Sequence, residues 1–167
     1  MRISALIVSL FCVLTLTARE YEVVSPSGHL KMTLDADQNL SYSLSVDGKT
    51  VMSDCALSLT LGDSKVLGQN AKVLKAKKSS VQETINSPFY RQDSFETAYN
   101  SLVLKFTGDW SVELRAYDDG VAYRFVTDFK QNFDVKDEQA EFCFTEDYDL
   151  IIPYCDKRND KYSSSFE

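Results

Sequence analysis

The amino-acid sequence predicts an all-β fold, an antiparallel sandwich, on three observations. Apolar and polar residues alternate with period two through most of the chain after an N-terminal apolar run. Turn residues such as Asp47-Gly48 and Gly62-Asp63 break that alternation about every 8–12 residues, the spacing of short hairpin-linked strands. Beyond the N-terminal run, no stretch repeats its apolar residues at helical spacing.

Tyr21 to Val24 and Leu30 to Leu34 are the first strand candidates, separated by the turn residues Ser25-Pro26-Ser27-Gly28. Leu40, Tyr42, Leu44 and Val46 then share one face, with Ser41, Ser43, Ser45 and Asp47 on the other. That pattern is a half-buried antiparallel strand. Asp47-Gly48 turns the chain into Thr50-Val51-Met52, and a separate strand follows with Leu57, Leu59 and Leu61 inward. Lys72 to Lys77, Leu102 to Phe106, Ser111 to Tyr117, Val121 to Val126, Ala140 to Phe144 and Leu150 to Ile152 complete the set. Ser79 to Asn100 shows no regular alternation and contains Pro88 beside Phe89 and Tyr90, so it reads as a long loop or strand excursion.

Arg115-Ala116-Tyr117-Asp118-Asp119-Gly120-Val121-Ala122-Tyr123-Arg124-Phe125 has the pattern of a hairpin. A two-residue turn at Asp119-Gly120, with both residues at positive φ, pairs Ala116 with Tyr123 and Leu114 with Phe125. A three-residue turn would oppose Leu114 to Arg124 and mix the faces, which a buried face resists. The shorter turn sets Arg115 opposite Arg124, and like charges there call for an anion between them. Glu113 is a diagonal candidate, and a carboxylate from a neighbouring strand is another.

The 167 residues suit one domain, with 44% hydrophobic residues to supply its core. A (β/α)8 barrel needs roughly 250 residues and does not fit beside a sandwich. A net charge of −7 opposes binding to nucleic acid or anionic membranes, whereas neutral carbohydrate is not excluded. Met1-Arg2, the apolar run Ile3 to Leu16 and the small residues up to Ala18 read as a signal peptide over residues 1–18, too short to span a membrane comfortably. Cleavage leaves 167 − 18 = 149 residues, residues 19–167, exported to the periplasm or the medium. Three cysteines then remain, Cys55, Cys143 and Cys155; an odd number leaves at least one thiol unpaired or paired between chains. Cys143 and Cys155 could approach if Glu146-Asp147 turns the chain, but small buried hydrophobes are the expected role for all three.

Glycoside hydrolysis needs two carboxyl groups flanking the scissile bond, which makes Asp118-Asp119 a first candidate. Adjacent acids in a turn more often serve the turn through Asx hydrogen bonds. Glu146, Asp147 and Asp149 cluster near Tyr148 without the spacing and glycine of a calcium loop, so they read as solvated. His29, the single histidine, stands in a turn with no nucleophile motif nearby. Trp110 could stack on a sugar ring, but sandwich cores bury tryptophan routinely and core packing is expected.

Arg115 to Phe125 resembles the signature in the N-terminal β-sandwich of glycoside hydrolase family 97, secreted or periplasmic α-glucosidases and α-galactosidases that use calcium. Ser25-Pro26-Ser27-Gly28-His29-Leu30 is similar to that family's Ser-Pro-Asp-Gly strand entry, Leu40 to Lys49 to its next hairpin, and Tyr99-Asn100-Ser101-Leu102 to its Tyr-Asn-Glu-Leu element. Ser101 replaces the usual glutamate, and Arg91 stands where glycine is common. The resemblance implies a galactose-mutarotase-like β-super-sandwich that packs on a C-terminal catalytic barrel acting on α-linked oligosaccharides. It also implies an acidic calcium ligand near the domain junction, for which Glu167 is the matching position. The catalytic acid and its partner would lie beyond residue 167, so the chain alone is expected to be inactive, as a truncated product closing on a linker-like Ser163-Ser164-Ser165. The alternative is a stand-alone exported carbohydrate-binding or interaction module.

Overall fold

The computed structural model describes residues 20–87 and 93–151. Residues 1–18, read from the sequence as a signal peptide, and Pro88 to Arg91, Cys155 and Glu167 lie outside them. The described chain forms β1 (Glu20–Val24), β2 (Leu30–Ala36), β3 (Leu40–Val46), β4 (Lys49–Leu61), β5 (Val66–Leu67), β6 (Val73–Asn86), β7 (Ser94–Phe106), β8 (Trp110–Ala116), β9 (Val121–Thr127) and β10 (Val135–Ala140). One sheet runs β1-β2-β3-β4-β10 with β5 also on β4, the other β6-β7-β8-β9. Every pairing among them is antiparallel. The all-β, two-sheet expectation holds.

A single core joins the sheets, because period-two alternation turns one face of each inward. Leu34, Leu40 and Leu57 come from the first sheet, and Leu102, Leu104, Val112 and Leu114 from the second. All seven are essentially withdrawn from solvent, each contributing about 2 kcal/mol of transfer free energy. Trp110 belongs to this core, as expected. Its ring stacks on Phe106 at 4.2 Å, and its indole N–H donates to the Thr107 carbonyl at 3.0 Å.

Several expectations are refined or corrected. Thr50-Val51-Met52 and Leu57 to Leu61 are one strand, β4, with a bulge at Asp54, whose φ is 54°. The bulge inserts one residue, so inward positions change from Met52 to Cys55, Leu57 and Leu61; the phase break made one strand look like two. For Ser79 to Asn100 the strand excursion is the reading that holds: its described residues form the outer parts of β6 and β7, paired from Ser79↔Ser101 to Asn86↔Ser94 as a ribbon. Most of β6 is exposed, so no core selects for alternation there. Ala140 to Phe144 is likewise displaced: β10 ends at Ala140, while residues 141–145 stay along β4 through scattered hydrogen bonds and a Met52↔Phe144 bridge. Leu150 and Ile151 belong to no strand, and Ile152 lies outside the described residues.

The Arg115 to Phe125 hairpin is corrected in register. Ala116 pairs with Val121, Leu114 with Tyr123, Arg115 with Ala122 and Glu113 with Arg124. The two-residue turn is Asp118-Asp119, flanked by Tyr117 and Gly120, whose N–H and carbonyl meet at 2.8 Å. A two-residue slip leaves every side chain on its expected face, so alternation could exclude the three-residue turn but not this one.

Candidate functional site

The motifs singled out in the sequence converge at one end of the sandwich. The Ser25–Leu30 turn is closed by hydrogen bonds between Ser25 and Leu30 and from the Gly28 N–H to the Ser25 carbonyl at 3.0 Å. The Ser27 N–H donates to Asp118 Oδ1 at 2.8 Å, tying this turn to the β8–β9 apex. That bond, with a further one from the Ser27 side chain, holds the Asp118 carboxyl below its usual range. Asn100 donates to the Val24 carbonyl at 2.7 Å and accepts from Ser80 at 2.6 Å, bridging β1 to the second sheet.

On the outer face of the second sheet, Glu113 sits between the two arginines. Arg115 Nε donates to Oε1 at 2.7 Å, and Arg124 donates to Oε2 at 2.6 Å. Ser101 lies 3.4 Å from Oε1. The anion expected between the arginines is therefore present, and it is Glu113. Arg115 also covers the Tyr99 ring, 4.6 Å from its centroid, and Tyr99 packs on Tyr117 at 4.9 Å. Burial alone would raise the Glu113 pKa; hydrogen bonds from Arg115 and then Arg124 outweigh it and hold the carboxyl below its usual range. The bond to Glu113 raises Arg115 in turn.

This arrangement can bind and brace, but it is unsuited to proton transfer. A general acid must hold its proton near neutral pH, whereas Glu113 and Asp118 are both stabilised as anions. Asp118 thus serves the turn and its neighbour, the structural reading of Asp118-Asp119. His29 lies on the surface, its Nδ1 2.5 Å from Asp47 Oδ1. Glu146 pairs with Lys49 at 2.8 Å. Among the described residues no group of three His, Cys, Asp or Glu is placed to hold a metal, and no helix is long and apolar enough to cross a membrane.

A second feature was missed in the sequence. An open cleft of about 710 Å³ lies among the β4–β5 turn, Asp109 and residues 128–134. Asp63, Asp109 and Asp128 line it together with Phe129 and Phe133, whose rings meet edge to face at 5.1 Å. Lys65 lies 5.2 Å from the Phe129 ring centre. The two phenylalanines, four apart in an irregular stretch, were the available signal.

Comparison with known proteins gives consistent results. A family model described as Glycosyl-hydrolase 97 N-terminal matches residues 23–167. A retaining alpha-galactosidase of Bacteroides thetaiotaomicron is 38% identical over 167 residues, covering 99% of this chain and 25% of the relative. The chain therefore spans about a quarter of that relative's length. A Glycoside Hydrolase Family 97 enzyme from Pseudoalteromonas sp. strain K8, in complex with panose, superposes with a TM-score of 0.66 at 24% identity. That match covers 75% of this chain and 20% of the other. A beta-arabinopyranosidase crystal structure matches with a TM-score of 0.67 at 21% identity, over 75% of this chain and 21% of its own. These two structures establish likeness of fold.

Proposed function

We propose, from the premise that this chain belongs to the glycosyl-hydrolase 97 N-terminal family, that it serves as the non-catalytic sandwich of a longer exported α-glycosidase. The single observation that carries this reading is the state of the acids at this end of the sandwich: Glu113 and Asp118 are consumed by internal hydrogen bonds that keep them deprotonated. The sandwich braces, and the chemistry resides in a catalytic barrel acting on α-linked galactosides or glucosides. Exposed apolar residues support such a partner domain. Val135, Phe142, Leu150 and Ile151 are all more than half exposed, along the strand and run that lead out of the sandwich. Surfaces of this kind are a recurrent mark of contact sites.

Export rests on the charged start, apolar run and small residues of positions 1–18, and N-terminal sequencing of the mature protein should begin at Arg19. Calcium would be held in the longer enzyme, with Glu167 contributing one carboxylate oxygen, a ligand type calcium favours. The described residues do not form a calcium site by themselves.

Purified residues 19–167 should release no product from nitrophenyl α-galactoside or α-glucoside above the buffer rate. Turnover that survives repurification would overturn the reading. The second reading, a stand-alone carbohydrate-binding module, is favoured by the Phe129–Phe133 cleft. Calorimetric titration with malto-oligosaccharides and galactosides separates the two: heat that disappears in Phe129→Ala supports the module, and no heat removes it. Titrating calcium chloride into a chain extended through the barrel, with Glu167→Gln beside it, tests the ligand; equal calcium affinity in both sinks that assignment.

A further inference from the structure

We infer that Cys55 and Cys143 are a disulfide-forming pair that staples the run after β10 to β4. The backbone brings them together. The Glu141 N–H donates to the Ala56 carbonyl at 3.1 Å, the Ser53 N–H to the Cys143 carbonyl at 3.0 Å, and the Thr145 N–H to the Val51 carbonyl at 3.1 Å. Residues 141–145 are thus an antiparallel neighbour of β4, with Phe144 opposite Met52 and Cys143 opposite Ser53, two positions from Cys55. The Asp54 bulge lies within this stretch and turns Cys55 inward, where it is fully buried. The Cys143 N–H then points at Cys55 Sγ at 3.1 Å, and that sulfur lies 3.9 Å from the Cys143 carbonyl.

The two thiols differ in access, which sets the order of steps. Cys143 is exposed and Cys55 is buried beneath it. The Cys143 thiolate attacks a disulfide-bearing oxidant, a small-molecule or protein disulfide, and one oxidant sulfur departs as a thiol. The Cys55 thiolate then attacks Cys143 Sγ in the mixed disulfide and displaces the second oxidant sulfur. Two protein thiols become one disulfide, and the oxidant disulfide becomes two thiols that take up the two protons. Desolvation, then the neighbouring Cys55, raises the Cys143 thiol above its usual range, so the pair lacks the acidic thiol of a redox catalyst and suits a structural bond. Cys143 is accordingly matched to Cys55, while Cys155 lies outside the described residues. The bond closes a separation of 88 residues, long enough for a large effect on the unfolded chain.

The test uses the full purified chain, equilibrated in a glutathione redox buffer, quenched with N-ethylmaleimide and digested without reduction. A linked peptide pair carrying Cys55 and Cys143, two hydrogens lighter than the separate peptides, is expected. Reduction should then lower Tm by on the order of 10 °C. Cys155→Ser should keep both the link and the shift, whereas Cys143→Ser should lose both. Full alkylation of Cys55 and Cys143 after oxidation, or a Cys143–Cys155 link in their place, overturns the inference. The peptide mapping needs no variant, so a misfolded substitution does not affect it.

Discussion

The β3–β4 and β8–β9 hairpins both contain an Asp-Gly dipeptide and use it differently. At the first, Asp47 and Gly48 are the turn itself, with φ of 49° and 80°. At the second, Asp119 and Gly120 both stay out of the left-handed region, and Gly120 has moved into the pair flanking Asp118-Asp119. The first turn is set by local backbone chemistry. The second is set by what its strands and apex reach: Ser27 for Asp118, and Glu113 for both arginines. Its alternative register would place Arg124 opposite Arg115, two like charges face to face. The observed one gives Arg124 a carboxylate instead. A strong dipeptide propensity is thus overruled when a buried charge must be paired.

Removing that charge is the largest available disturbance. Glu113→Ala should cost about 1–3 kcal/mol in urea denaturation, because the part-buried Arg115 loses its charged partner while the exposed Arg124 is re-solvated. If the register depends on this pair, Arg124→Ala in the Glu113→Ala background should cost little more, with a coupling of about 1–3 kcal/mol in the double-mutant cycle. Additive losses would show the pair to be incidental. The same group sets an acid limb. Its folded pKa lies below the unfolded value of about 4.3, so its contribution is present above that value and is lost as pH falls through the folded pKa. The stability gap between the native chain and Glu113→Gln should therefore narrow on acidification; a gap constant from pH 7 to pH 3 (roughly the span set by that pKa) contradicts the shift.

The two glycines give a more local contrast. Gly48→Ala should destabilise by about 1–2 kcal/mol, since alanine resists positive φ, although open space surrounds the site. Gly120→Ala should stay within about 0.5 kcal/mol, with no positive φ and nothing within 4 Å. Equal costs would return Gly120 to the turn. The smallest effect is expected at the apex. Asp118→Ala should lower Tm slightly and expose the Ser27 amide to faster hydrogen exchange, with Asp118→Asn restoring most of both.

Legibility followed burial. β3 was read with its observed limits because its alternation faces a core, and Asp47-Gly48 was read because its chemistry is local. For the β6–β7 ribbon the sequence leaves loop and strand excursion undivided, because the ribbon buries neither face for most of its length. The Asp54 bulge concealed the unity of β4, since a one-residue insertion reverses the phase that pattern reading relies on. Of the candidate site, Glu113 is one of two anions the sequence offers between the arginines, and its position directly opposite Arg124 is not legible there. Nothing in the sequence linked Ser27 to Asp118, which are separated by 91 positions.

By itself, then, the sequence determined the all-β class, the inward faces and the turn at Asp47-Gly48, because alternation and backbone propensity are properties of neighbours in the chain. Only the tertiary structure decided the β8–β9 register, the seat of Glu113 between its arginines and the meeting of Cys55 with Cys143. Each of those depends on groups from separate segments competing for one space, and shifts of two residues are invisible to a pattern of period two.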